Sequence, residues 1–465
     1  MQLSLKQKIA FGLGAIGKDM VYALSSGFVL YYYQDLLGID PAFVGVILMV
    51  ARIFDAINDP FMGIVVAKTK TKWGRFRPWL ITGTVLNAFV LYALFATPFT
   101  TGTALLVYFA VIYILWGMTY TIMDIPYWSM IPAITDTPKD RENLSVVGRT
   151  CAGVGSAIIQ IGTLKTVSAL GGGSDLRGFK IVALIVGIVF IVTEVICCLS
   201  VKETHLTHME TPSIGEMFKG LFANDQALVV VIGIILINSA LYITSNLIIL
   251  FFKYDMGGAN WVDNYTLFTT VGGGCQILGM MVVYPLLRKK FSNTQVFRIS
   301  LTGAIVGYAI ILLLCFTGLA KNVYLVCVPG IIVFACNGML SVLTTVFLSH
   351  SVDYGEIKTG HREESVIFSM QTFVVKAASG FAVFISGVGM KLIGFVGNSD
   401  QTGEIVQQSA SAITGLRLLM TIIPIAVLFA AFFFFKARFR LTDELAEENS
   451  RILRDKNAEL QETVE

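Results

Sequence analysis

Long apolar blocks separated by short polar stretches run along the whole chain. Twelve of them reach about 20 residues, the length of a membrane-crossing helix. They are centred near Leu24, Val50, Val90, Trp116, Ile159, Val186, Ile237, Gln276, Gly307, Ile332, Phe381 and Ile425. The pattern predicts twelve transmembrane helices and leaves little chain for a soluble domain. Composition agrees, because 55% of the 465 residues are hydrophobic and only 14% are charged. That balance excludes a soluble domain with a charged surface. The expected class is an all-α, multi-pass protein of the cell's inner membrane, with the lipid bilayer as its solvent.

The net charge of +3 decides little, but the placement of cations decides orientation. Lys and Arg concentrate in short cytoplasmic loops. "KTKTKWGRFR" follows the second block, "LRKKF" the eighth and "KARFR" the last, whereas "QDLLGID", "TPFTTG" and "GNSDQTGE" on the alternate side are poor in cations. Both termini are therefore expected in the cytoplasm. The first block carries Lys18 and Asp19 and reads as a retained helix rather than a cleavable signal. The seven cysteines fall in apolar blocks without metal-ligand spacing and read as core residues.

The polar stretch 201–226 divides the blocks into two sets of six. The expected organisation is a six-helix bundle over 1–200, a cytoplasmic middle loop over 201–226, a second six-helix bundle over 227–436 and a tail helix over 437–465 with the mixed charge of a solvated surface. A short internal echo supports the division. "MIPAITDTPKDRENLS" follows the fourth block and "FLSHSVDYGEIKTGHREES" the tenth, with Arg141-Glu142 in one and Arg362-Glu363 in the other. Two parallel six-helix halves with a binding site near the midplane form a known transporter architecture.

Within the second block, "ARIFDAINDPFMG" places an arginine, two aspartates and an asparagine where each ionised group costs about 2.5 to 3.5 kcal/mol at the bilayer centre. Helical spacing puts Asp55, Asn58 and Asp59 on one face, with Arg52 a turn earlier. The fourth block repeats the theme with Tyr120, Thr121, Asp124 and Trp128. Lys18 and Asp19 stand in the first, and Gln371, Thr372 and Lys376 in the eleventh. One ion pair could merely brace a bundle; four acids in the blocks point to an ion or substrate pathway. Carboxylates, an amide and a hydroxyl form a hard oxygen set that suits sodium, with lithium or a proton as alternatives. Asp19, Asp124, Trp128 and Arg149 combine hydrogen-bonding charges with an apolar indole face, which suits a polyhydroxylated ring. Trp116 reads as packing. Lys165 and Glu194, near span ends, are expected to reach toward the headgroups, and Asn238 and Asn246 to bond between helices.

With "GKD" at 17–19, "YYYQDLLG" at 31–38, "ARIFDAINDPFMG" at 51–63, "WGRFRPW" at 73–79, "YILWGMTYTIMDIPYWSMIPAIT" at 113–135, "VDYGE" at 352–356 and "QTFVVK" at 371–376, the sequence resembles the melibiose permease group of the glycoside-pentoside-hexuronide:cation symporters, a branch of the major facilitator superfamily. The resemblance implies twelve helices in two pseudo-symmetric bundles and cation-coupled sugar uptake by a functional monomer. It implies no enzymatic activity, no cofactor beyond the coupling cation and no nucleic-acid partner. It assigns the cation to Asp55, Asn58, Asp59 and Thr121. To the sugar it assigns Lys18, Asp19, Tyr120, Asp124, Trp128, Arg149 and Lys376, with Gln371 and Thr372 nearby. Arg52, Arg141, Glu142, Asp353 and Arg362 are candidate coupling or gating residues. Ser341, His350 and Ser26 replace a tryptophan, an aspartate and a tyrosine of the melibiose permeases, so a melibiose-like galactoside is only one candidate sugar.

Two other functions fit parts of the pattern. An uncoupled sugar facilitator or sensor would need no adjacent carboxylates. A magnesium-dependent prenyltransferase would want a second aspartate-rich helix, and "YTIMDIP" offers one acid. No phosphate-binding "GxxxxGK[ST]" occurs.

Overall fold

The computed structural model of the chain describes residues 4–99, 101–135, 138–201, 203, 214–360, 364–397 and 406–462. Its helices are α1 (Leu5–Leu30), α2 (Pro41–Lys68), α3 (Arg77–Phe95), α4 (Gly102–Ser129), α5 (Pro138–Gly171), α6 (Asp175–Ser200), α7 (Ile214–Ala223), α8 (Asp225–Leu250), α9 (Trp261–Leu278), α10 (Tyr284–Arg288), α11 (Asn293–Thr317), α12 (Val323–Thr359), α13 (Glu364–Leu392), α14 (Ala410–Arg438) and α15 (Asp443–Glu462). No strand occurs among the described residues. Ten helical segments are long and apolar enough to cross a membrane, again among the described residues. The helices α1 and α5 are as long, at 26 and 34 residues.

Local chemistry sets the helix ends. Ser4 and Gln7 form a reciprocal capping box at the start of α1, as Ser292 and Gln295 do at α11. Asp40 accepts the N–H groups of Ala42 and Phe43, and Pro41 fills the first position of α2. The Glu203 carboxylate accepts N–H groups from Arg75 at 2.7 Å and Phe76 at 3.0 Å, next to the start of α3. Within 201–226, α7 supplies helix where the sequence reads as loop.

By internal contacts the chain forms two compact units. The first comprises Met1–Thr211, Phe252–Leu267 and Val383–Ile413; the second comprises Pro212–Phe251, Phe268–Ala382 and Thr414–Glu465. In the first unit α1 packs on α5 and α6, α3 on α4 and α6, and α2 on α4. Small residues let these backbones approach. A Cβ at Gly155 of α5 would sit 2.3 Å from the Ile16 carbonyl oxygen of α1.

In the second unit α12 packs against α8 and α11, and Phe297, Phe347, Phe435 and Phe439 meet edge-on or tilted in one aromatic cluster. The tail helix α15 is not solvated all round. Ala446, Asn449 and Leu453 are buried, and Asp443 binds Arg288 at 2.8 Å and the Asn293 N–H at 3.0 Å. That carboxylate sits where the first turn of α11 leaves N–H groups unpaired. Of the seven cysteines, Cys151 and Cys275 are half-buried and the other five are buried, all as free thiols.

Candidate functional site

In the first unit the charges of α1, α2 and α4 form two clusters that share α4. In the first cluster Lys18 is 3% exposed. Its ammonium lies 2.7 Å from Asp124 Oδ1, 3.0 Å from Asp19 Oδ2 and 3.2 Å from the Tyr120 hydroxyl. A lysine has three N–H donors, so these partners account for all of them. Trp128 donates its indole N–H to Asp124 Oδ1 at 3.2 Å, as their four-residue spacing on a helix permits. The exposed Arg149 of α5 places its guanidinium 4.3 Å from the Trp128 ring centre. Carboxylates, a cationic donor and an indole face thus meet at one place, with hydrogen-bonding charges beside an aromatic surface.

In the second cluster Thr121 donates its hydroxyl to Asp59 Oδ1 at 3.0 Å, joining α4 to α2. Arg52 lies 3.7 Å from Asp55 Oδ2, and its guanidinium rests over the rings of Tyr22 and Trp116. Asn58 is half-buried on the same helix. Trp116 is buried in a ladder with Tyr113 and Tyr120 and is packing, as its sequence suggests. Among the described residues no group of three or more His, Cys, Asp or Glu is arranged to hold a metal ion. The donors in the cluster are mixed oxygens of carboxylate, amide and hydroxyl.

The approach of α4 to α2 depends on Gly117. A Cβ there would fall 2.0 Å from Asp55 Oδ1. Gly117→Ala is therefore expected to overpack this contact at a cost of about 1–3 kcal/mol, read as a lower thermal midpoint of the purified protein. An unchanged midpoint would contradict so close an approach.

Other expected residues fall elsewhere. Gln371 and Lys376 are half-buried on α13 in the second unit, and Asp353 is half-buried on α12. Arg362 lies outside the described residues, as do the side chains of Arg141, Glu142 and Thr372. Lys165 is about half exposed and pairs with Asp263 at 2.9 Å. Glu194 departs from expectation: instead of reaching for headgroups it is 0% exposed, because α6 turns it onto α1. Asn238 also departs, donating to the Ile234 carbonyl of its own helix.

A third polar cluster escaped sequence reading. Asp35 lies in the π-helical turn Tyr31–Leu36 that continues α1, and Lys253 in the π-helical turn Phe251–Met256 that continues α8. Their charges meet at 2.6 Å with side chains 0% and 4% exposed. Tyr31 OH lies 3.0 Å from the ammonium, and Tyr254 donates to Asp35 Oδ1. A loop-like "QDLLG" and a lone lysine 218 residues away carry no shared signal in the chain. Close by in sequence, Asp40 pairs with Lys391 at 2.7 Å. Slight burial opposes ionisation of Asp40, but the Lys391 ammonium and the α2 N–H groups outweigh it and hold the carboxyl below its usual range.

Long apolar helices that enclose linked acids, cations and aromatic donors define an integral membrane carrier. The chain belongs to the MFS/sugar transport protein family, which it matches over residues 10–443. Curated relatives include the uncharacterized symporter YjmB of Bacillus subtilis, 28% identical with 98% of this chain and 95% of the relative covered. The putative glycoside/cation symporter YagG of Escherichia coli is also 28% identical, over 97% and 95% of the two chains. The isoprimeverose transporter of Lactiplantibacillus pentosus is 28% identical over 90% and 85%. Among solved structures, the nucleoside transporter NupG superposes with a TM-score of 0.64 at 15% identity, over 94% of this chain and 99% of that one. This likeness shows the fold. The expected kinship with glycoside-pentoside-hexuronide:cation symporters is borne out, and the family is one of transporters rather than enzymes.

Proposed function

We propose that this protein imports a sugar or glycoside by symport with a monovalent cation, sodium in the first place, through alternating access of twelve membrane-spanning helices with both termini in the cytoplasm. The observation that carries the reading is the double use of α4. Thr121 faces Asp59 on α2, and three residues later Asp124 faces Lys18 on α1. A cation held by Asp55, Asn58, Asp59 and Thr121 would fix the helix that presents Asp124, Tyr120 and Trp128 to sugar hydroxyls. Lys18, Asp19 and Arg149 complete that surface. Gln371, Thr372 and Lys376 are proposed to contribute from α13, and Arg52, Arg141, Glu142, Asp353 and Arg362 to act in coupling or gating. Linkage then makes the cation favour the sugar as much as the sugar favours the cation.

The driving force suffices without ATP. A monovalent cation gains about 2.3 kcal/mol per 100 mV and about 1.4 kcal/mol from a tenfold gradient. Together, about 3.7 kcal/mol supports roughly 500-fold accumulation at one-to-one stoichiometry.

The test is uptake of labelled isoprimeverose, raffinose, lactose and melibiose into proteoliposomes, with and without an inward sodium gradient. Accumulation above the external concentration for at least one sugar, abolished by a sodium ionophore, is the expected result. Equilibration that ignores every cation gradient would replace symport by facilitated diffusion.

A further inference from the structure

Outside the three clusters, a membrane-embedded carboxyl of α6 stands apart. Glu194 of α6 is fully buried, and neither of its oxygens has a hydrogen-bond partner among the described residues. The pocket around it is tight. A Cβ built on Gly14 of α1 would lie 3.2 Å from Glu194 Oε2, 3.1 Å from the Tyr127 ring of α4 and 3.2 Å from Cys197 Cβ of α6. The ionisable groups that share an electrostatic interaction with Glu194 are Lys18 on α1, Asp124 and Tyr127 on α4, and Cys197 and Cys198 on α6.

Gly14 precedes Lys18 by four residues, so the pocket lies one turn along the face of α1 that carries the ammonium. That ammonium is already committed to Asp124, Asp19 and Tyr120. Nothing among the described residues offers Glu194 a donor. A charged carboxylate in such a place is far more costly than its neutral acid, and an apolar side chain would fill the space at less cost than either.

We propose that Glu194 is a proton-binding site, a carboxylic acid that holds one proton as long as Asp19 and Asp124 both stand against the single charge of Lys18. When a ligand or a substitution removes one of those carboxylates, Lys18 keeps a single counter-charge and the surplus negative charge that opposes ionisation of Glu194 is gone, so the proton leaves: the Glu194 O–H bond breaks, the electron pair stays on the oxygen and the proton passes to water. This inference rests on assigning Asp19 and Asp124 to the sugar site only for its physiological trigger; the proton itself is detectable without any sugar.

Infrared difference spectroscopy of the purified full-length protein, titrated from acid to alkaline pH in sodium-free buffer, tests it. Wild type is expected to show a carboxylic C=O band at neutral pH that shifts in D2O and is missing in Glu194→Gln. In Asp124→Asn the band should vanish at a lower pH than in wild type. Identical spectra for wild type and Glu194→Gln would overturn the proposal, as would a band in Asp124→Asn that titrates as in wild type. Both variants preserve side-chain shape, and circular dichroism checks their fold. A failure of sugar accumulation would leave these spectra unchanged, so the two readings fall separately.

Discussion

Carriers with Asp59→Cys are expected to exchange labelled sugar across the membrane yet fail to concentrate it, dropping from an accumulation of up to roughly 500-fold at full coupling to about one. Asp59 is the carboxylate through which α2 meets Thr121 of α4 at 3.0 Å, and it stands one turn beyond Asp55. Asp55 already has Arg52 at 3.7 Å as a counter-charge. Removing Asp59 therefore leaves the α2 face with one acid opposed by one fixed cation and no negative surplus to attract sodium. The cluster around Lys18 uses Asp19 and Asp124 and is untouched, so sugar should still bind and cross in exchange. Counterflow and gradient-driven uptake in the same proteoliposomes separate the two activities. Sodium-stimulated accumulation that survives the substitution would reduce the α2 acids to a structural brace.

Single substitutions at the Asp35–Lys253 pair should be the most destabilising in the protein, at about 3–5 kcal/mol each, because each strands a buried charge. Both side chains are at most 4% exposed, the separation is 2.6 Å, and Tyr31 and Tyr254 complete the shell. π-helical turns are rare and concentrate at functional positions. Here two of them meet, with the helix widened at each charge. Asp35→Asn and Lys253→Met should each lower the thermal midpoint in detergent, whereas the double variant should recover most of the loss. Additive losses in the double variant would show that the two charges do not depend on each other.

Much of the site was legible because helical spacing is itself geometry. Asp55 and Asp59 on one face, and Tyr120, Asp124 and Trp128 on another, follow from a period of 3.6 residues. The Trp128–Asp124 hydrogen bond is such a local consequence. The membrane sharpened the signal, since a charge inside an apolar block costs too much to be incidental. Partners between helices were not legible. Nothing in the chain says that Lys18 spends its donors on Asp124 and Tyr120 as well as on its neighbour Asp19, or that Lys253 reaches back to Asp35. Glu194 shows the limit most clearly: near a helix end a carboxyl has two directions available, and only the packing of α6 against α1 selects the interior.

By itself, then, the sequence determined an all-helical membrane carrier, its kinship and the helices that bear charge, because hydropathy and helical period act locally along the chain. Tertiary structure alone decided which charges neutralise one another, which glycine lets α4 close on Asp55, and which buried acid has no hydrogen-bond partner among the described residues. Those outcomes depend on distances of a few ångströms between segments far apart in the chain, and a one-dimensional pattern carries no such distances.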